Sequence, residues 1–187
     1  MLNVRAVTLV SLILAAAATR IIPHPWNFTA VGAMCLFGGA YFQRRWAAIV
    51  VPLAALVISD VILAATLYGF TGFSVISVSH LLFLLTACLG MTLRGRVTFG
   101  RVTLAAVSAS VMFFVLSNFA AWFSGYEGYP YTSAGLLACY IAAIPFAQNM
   151  LLANLFYCGV LFGGWELLSR GLPALRQPAL AKSPVRR

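Results

Sequence analysis

The scarcity of charge over long apolar stretches constrains this chain most. Windows of about 20 mostly apolar residues follow one another, the length a helix needs to cross ~30 Å of hydrocarbon. Of 187 residues, 63% are hydrophobic and only 8% are charged, too few charges to cover a soluble domain of this size. Backbone inside lipid must satisfy its own hydrogen bonds, so runs of this length are expected to be helices. The expected fold class is all-α, a polytopic membrane protein.

The apolar runs lie at residues 4–22, 29–43, 46–67, 74–93, 102–124 and 150–168, with a shorter piece at 133–146. The first run, with Arg5 at its start and Ala15-Ala16-Ala17-Ala18 within it, shares features with a secretory signal. Its apolar length is that of a span, and a retained first helix is expected. The piece at 133–146 is interrupted by Pro145 and suits a re-entrant or interfacial segment better than a crossing.

Basic residues decide between six crossings and seven. With six, eleven of the twelve Lys/Arg residues share one side and only Arg20 lies opposite. A seventh crossing would move the five basic residues of the tail and divide the set six and six. The positive-inside bias selects six transmembrane helices plus the short re-entrant segment, with both termini cytoplasmic. Residues 1–169 are expected to form a single transmembrane domain, and residues 170–187 a basic, disordered cytoplasmic tail. The formal charge of +9 therefore reflects orientation and membrane lipid; no basic stripe interleaves with stacking aromatics, and nucleic acid is not an expected partner. Cys35, Cys88, Cys139 and Cys158 lie inside apolar runs without CxxC or Cys/His spacing. They are expected to be free thiols behaving as small apolar residues, with no disulfide and no metal site.

The stretch Pro23-His24-Pro25-Trp26-Asn27-Phe28-Thr29 separates the first two runs. Its prolines fix φ and remove two backbone donors, so neither neighbouring helix continues through it. A short stiff loop presenting imidazole, indole and amide groups results. With six crossings, Asp60, His80, Asn118 and the group Gln148, Asn149 and Asn154 come from four helices, and Cys35 from a fifth, yet all fall in the outer half of the membrane. A carboxylate in hydrocarbon costs several kcal/mol unless paired or wet, and Arg20 is the obvious partner for Asp60. Either the pair ties helices together or these groups line a pocket. Trp26, Phe70, Phe73, Tyr126, Tyr129 and Tyr131 fall in outward loops. Such aromatics belong at an interface and also suit a lid over a flat organic ligand.

The chain has no HExxH, no GxSxG, no Gly-rich phosphate loop and no paired carboxylates. Its three acids are Asp60, Glu127 and Glu166, and Glu166 is placed to pair with Arg170 one turn away. No nucleophile–base pair assembles from the sequence, and neither an enzyme nor a cofactor is expected.

Three stretches carry a resemblance. They are Arg20-Ile21-Ile22-Pro23-His24-Pro25-Trp26-Asn27-Phe28-Thr29 running into Ala33-Met34-Cys35-Leu36-Phe37-Gly38-Gly39-Ala40; then Ser117-Asn118-Phe119-Ala120-Ala121-Trp122; and Tyr129-Pro130 with Gly135-Leu136-Leu137-Ala138-Cys139-Tyr140 and Ile144-Pro145-Phe146. In these the chain resembles a family of small bacterial inner-membrane proteins of unknown function described as transport proteins. That family is in turn similar to the S-components of energy-coupling-factor (ECF) vitamin transporters. The resemblance implies six helices, a ligand site near the outer face, and a lid made by the loop after the first helix together with later outward loops. The implied ligand is a small-molecule nutrient of vitamin type, with cobalamin one candidate, for which His24, His80 or Cys35 would offer cobalt ligands. It also implies a possible energising ECF-type module docking on small residues of the first helix, where Ser11, Ala15 and Thr19 stand. Where the family commonly has an arginine after Pro145-Phe146, this chain has Gln148. On this reading His24, Trp26, Asn27, Trp122, Tyr129 and Tyr131 form the lid side of the substrate site, and Asp60, His80, Asn118, Gln148 and Asn149 its polar anchors. The alternatives are a structural or interaction subunit without a ligand of its own and, third, an intramembrane enzyme.

Overall fold

In a computed structural model, residues 3–70, 77–125 and 128–175 are described. Among them are six α-helices: α1 (Val4–Ala18), α2 (Val31–Tyr41), α3 (Arg45–Leu63), α4 (Val78–Met91), α5 (Phe99–Phe123) and α6 (Ser133–Gly171). No strand occurs among the described residues. A 3₁₀ turn extends α1 over Thr19–Ile21, a π turn extends α3 over Ala64–Tyr68, and a last 3₁₀ turn spans Pro173–Leu175. The helix starts follow local chemistry. Asn3 accepts from the Arg5 and Ala6 amides, and Thr132 accepts from the Gly135 amide at 3.1 Å, each satisfying orphan donors of a first turn.

Successive helices run in opposite directions. The ends of α1, α3 and α5 and the starts of α2, α4 and α6 lie at one end, the loop end, where Arg20, Asp60 and His80 meet. The start of α1, the end of α2 and the turn after α6 meet at the other, the arginine end. There Arg5 donates to the Tyr41 carbonyl at 3.0 Å and to the Leu175 carbonyl, and its guanidinium lies 5.0 Å from the Trp165 ring. Arg94 donates to the Gly39 carbonyl at 2.9 Å nearby.

Four helical stretches are long and apolar enough to cross a membrane: Val4–Ile21, Arg45–Leu67, Phe99–Phe123 and Ser133–Gly171. Their outer faces carry exposed apolar side chains such as Leu14, Ile58, Leu104, Val111, Leu152 and Val160, as lipid contact requires. With 11 and 14 residues, α2 and α4 reach only about 16 and 21 Å. The shortness of α2 is tolerated because residues 31–40 are all buried. It is the axis of the bundle, packed by α3, α4 and α6, and its ends are covered by protein rather than lipid.

The expected re-entrant segment is not formed. Residues 133–146 are the first part of α6, which continues for 39 residues with Pro145 inside it. Pro145 removes one hydrogen bond and bends the helix, but its φ is compatible with helix and the chain does not reverse. Residues 170 and 171, assigned to the tail from the sequence, finish α6, and Leu175 beyond them is fully buried. The remainder of the expected disordered tail, residues 176–187, lies outside the described residues, as do Phe73, Tyr126 and Glu127.

Glycine sets how closely α2 is approached. A Cβ at Gly39 would overlap the Ala87 carbonyl and the Gly90 backbone, and one at Gly90 would overlap Leu36; the α2–α4 crossing is backbone on backbone. Gly39→Leu is expected to destabilise the protein by about 1–3 kcal/mol or more through overpacking. Gly159→Ala, at a position with nothing within 4 Å of the added carbon, should leave the unfolding midpoint in detergent nearly unchanged.

Candidate functional site

The polar residues of the loop end form two groups, not one. In the first, Arg20 Nη1 lies 2.6 Å from Asp60 Oδ1 and also donates to Ser59 Oγ. His80 Nε2 lies 3.3 Å from Asp60 Oδ2. On its other side the imidazole accepts at Nδ1, from the Ser77 amide at 3.3 Å and the Ser77 hydroxyl at 2.9 Å. Acceptance at Nδ1 puts the proton of a neutral ring on Nε2, facing the carboxylate. Nε2 is buried without an aligned hydrogen bond, so the His80–Asp60 contact is electrostatic rather than directional. The side chains of Arg20, Asp60 and His80 are 16%, 22% and 14% exposed, and their pairing meets the requirement that charge inside a bundle be compensated. The group ties α1, α3 and α4 together, the pairing of Arg20 with Asp60 expected from the sequence. Ser77, which that reading did not single out, is legible as the serine of a Ser-x-x-His capping box at the start of α4. Its hydroxyl also caps the His80 amide, which accounts for its proximity to the ring.

The second group surrounds two adjoining cavities of about 50 and 120 Å³ between α2, α4, α5 and α6, which share Asn27, Phe113 and Met150 as walls. Asn27 has φ 61°, the one positive φ outside glycine among the described residues, in the left-handed region that asparagine tolerates better than most residues. The smaller cavity reaches Thr86 and Asn154; the larger is lined by Ser117, Asn118 and Phe146.

Helix geometry makes the larger space. Cys139 of α6 contacts the Asn118 carbonyl, and Asn154 of α6 donates to Ser110 at 2.8 Å. The path between these contacts is about 22 Å along α6 but about 12 Å along α5. The surplus bows α6 away from α5 around Pro145, and the cavity wall of Ala143, Phe146 and Ala147 belongs to that bow.

The proline loop roofs the site. Asn149 Nδ2 donates to the Trp26 carbonyl at 3.0 Å, fastening the loop to α6. The Trp26 indole itself is 75% exposed, and His24 is exposed with Nδ1 turned to its neighbour's carbonyl at 3.0 Å. Trp122 donates from Nε1 to the Pro130 carbonyl at 3.0 Å and packs edge-on to Tyr131 at 5.7 Å. Tyr131 and Trp122 thus close the α5–α6 connection, with Tyr129, half-buried, beside them in sequence. Gln148 is exposed. Of the residues singled out from the sequence, Asn27, Asn118 and Asn154 line the cavities and Asn149 holds the roof. Arg20, Asp60, His80, His24, Gln148 and the described aromatic side chains of the loops, Trp26, Phe70, Tyr129 and Tyr131, line neither. Thr29, Thr86 and Ser117 were not among the candidates. Lone hydroxyls in apolar runs signal little, because they return their hydrogen bond to the helix, as Thr86 does to the Leu82 carbonyl at 2.9 Å.

Among the described residues no group of three or more His, Cys, Asp and Glu side chains could hold a metal. The molecule is thus an all-helical bundle of membrane character with a roofed, uncharged polar cavity at its loop end. The chain belongs to a protein family of unknown function (DUF6580), whose model matches residues 1–175. No curated protein and no solved structure matches it.

Removing one member of a compensated pair leaves the other charge stranded. Arg20→Leu is expected to cost about 3 kcal/mol, and Arg20→Leu combined with Asp60→Asn distinctly less than the sum of the single changes. A double-mutant cycle on unfolding midpoints in detergent measures that coupling.

Proposed function

We propose that this protein is a small membrane transport protein, similar to an S-component, that takes up a small organic nutrient at its loop end. The arginine-rich end then faces the cytoplasm of a bacterial inner membrane by the positive-inside rule. The observation that carries the reading is the roof. One loop residue, Asn27, walls both cavities, and the loop it belongs to is held to α6 through the Asn149–Trp26 hydrogen bond. The same loop also packs Phe28 against Phe156 and Tyr157 of α6, and a stiff two-proline segment fastened in this way acts as a lid whose release uncovers the space beneath it.

The cavities of about 50 and 120 Å³ fall below the roughly 300–1,000 Å³ of ordinary small-molecule sites. On this reading the conformation is a closed one and the occupant a small molecule; cobalamin does not fit without a large opening. Ser11 and Ala15 on α1 are exposed, which leaves that face open to an energising module.

The runner-up reading is a structural or interaction subunit. It is favoured by the Arg20–Asp60–His80 group, which ties helices and lines neither cavity.

Purified protein is expected to release a small organic molecule detectable by mass spectrometry. Asn118→Leu should weaken its rebinding about tenfold, the worth of one good hydrogen bond, with little change in unfolding midpoint. Asn149→Ala should speed both binding and release. Protein that carries and rebinds nothing would leave the helix-tying reading in possession.

A further inference from the structure

Resting on that reading of the cavities as a ligand site, their walls define the chemistry of the occupant. Not one lining residue is ionisable in the physiological range. The polar walls are Asn27, Asn118, Asn154, Thr29, Thr86 and Ser117, while the charges of the loop end are spent on one another in the Arg20–Asp60–His80 group. An ion buried there without a counter-charge would cost several kcal/mol.

The carboxamides are half used. Asn154 gives one N–H to Ser110 Oγ at 2.8 Å, and Asn118 gives one to the Phe114 carbonyl at 2.7 Å. A carboxamide has two N–H groups and a carbonyl with two lone pairs, so Asn118 keeps a second N–H and its carbonyl, while Asn154 keeps a second N–H and turns its carbonyl oxygen to Gly32. Thr86 spends its only O–H on the Leu82 carbonyl and can only accept. Asn154 is also fixed in place, because its carboxamide lies against Gly32, where a Cβ would overlap it. Around these groups stand the rings of Phe113, Phe114 and Phe146, which favour a flat partner. The complement of a carboxamide edge is another amide edge, an N–H beside a C=O.

We propose that the site selects an uncharged, single-ring molecule bearing an amide or lactam edge, and excludes its charged analogues. Selection comes from the carboxamides of Asn118 and Asn154 together with the absence of a counter-ion, and cobalt ligation by imidazole plays no part, since neither histidine lines the cavities.

The test is equilibrium binding of radiolabelled nicotinamide and uracil to the full chain in detergent, against nicotinate and N-methylpyridinium. Expected is saturable binding of at least one neutral probe, about tenfold or more tighter than either charged probe. Asn118→Asp should shift the preference towards N-methylpyridinium; if that variant fails to fold, Ser117→Ala and Gly32→Ala, which disturb the wall and the Asn154 carboxamide, should weaken the neutral probe. Charged probes binding as tightly as neutral ones would overturn the inference while leaving the ligand site standing. No binding of any probe, together with no molecule carried through purification, would overturn both.

Discussion

The close approach of α2 to its neighbours is the constraint on which the rest of the molecule depends. In lipid there is no hydrophobic drive between helices, and association rests on packing. Gly38 lies against Pro52 of α3, Gly39 and Gly90 bring α2 and α4 backbone to backbone, and Gly32 lies against Asn154 of α6. These glycines admit α3, α4 and α6 closely to one short helix and make it the axis. Because that axis is sheathed, neither its length nor its ends need match the bilayer. The outer helices then carry the lipid-facing surface.

From this arrangement the placement of polar groups follows. A helix too short to reach the loop end leaves space above it, and the space is closed by the segment that leads into α2. That segment contains Pro23 and Pro25 and so cannot be helical. Asn27 is the residue that turns it, in a backbone region where most side chains are strained. The bow of α6 at Pro145 widens the same region from the side. At the opposite end the aromatic knot of Phe37, Tyr41, Phe162 and Trp165, with Arg5 over it, packs α2 against α6.

Much of this was legible in the residues. Apolar length and the lopsided distribution of arginine led to the helical class. The Arg20–Asp60 and Glu166–Arg170 pairs, the latter at 3.0 Å, followed from the cost of stranded charge and from helical spacing. The course of residues 133–146 was misread because length alone does not distinguish a re-entrant piece from the first half of a longer helix, and one proline was weighted as a break. Depth along a helix placed Asp60, His80 and Asn118 at one level. It carried no information on rotation about the helix axis, which separates the ion group from the cavities. Arg5 looked like a flanking charge, yet it is among the buried polar residues, since only tertiary structure brings the Tyr41 and Leu175 carbonyls to it.

The central proposal is that the space beside Asn118 opens at the loop end, under the proline loop. It is tested most directly by placing a thiol in its wall. Ser117→Cys, in a background with Cys88→Ala, would be treated with a membrane-impermeant maleimide in vesicles of each orientation. Modification from the loop face only, slowed when the cavity is occupied by nicotinamide, is the predicted result. Modification from the arginine end, or at a rate indifferent to any occupant, would contradict the lidded cavity.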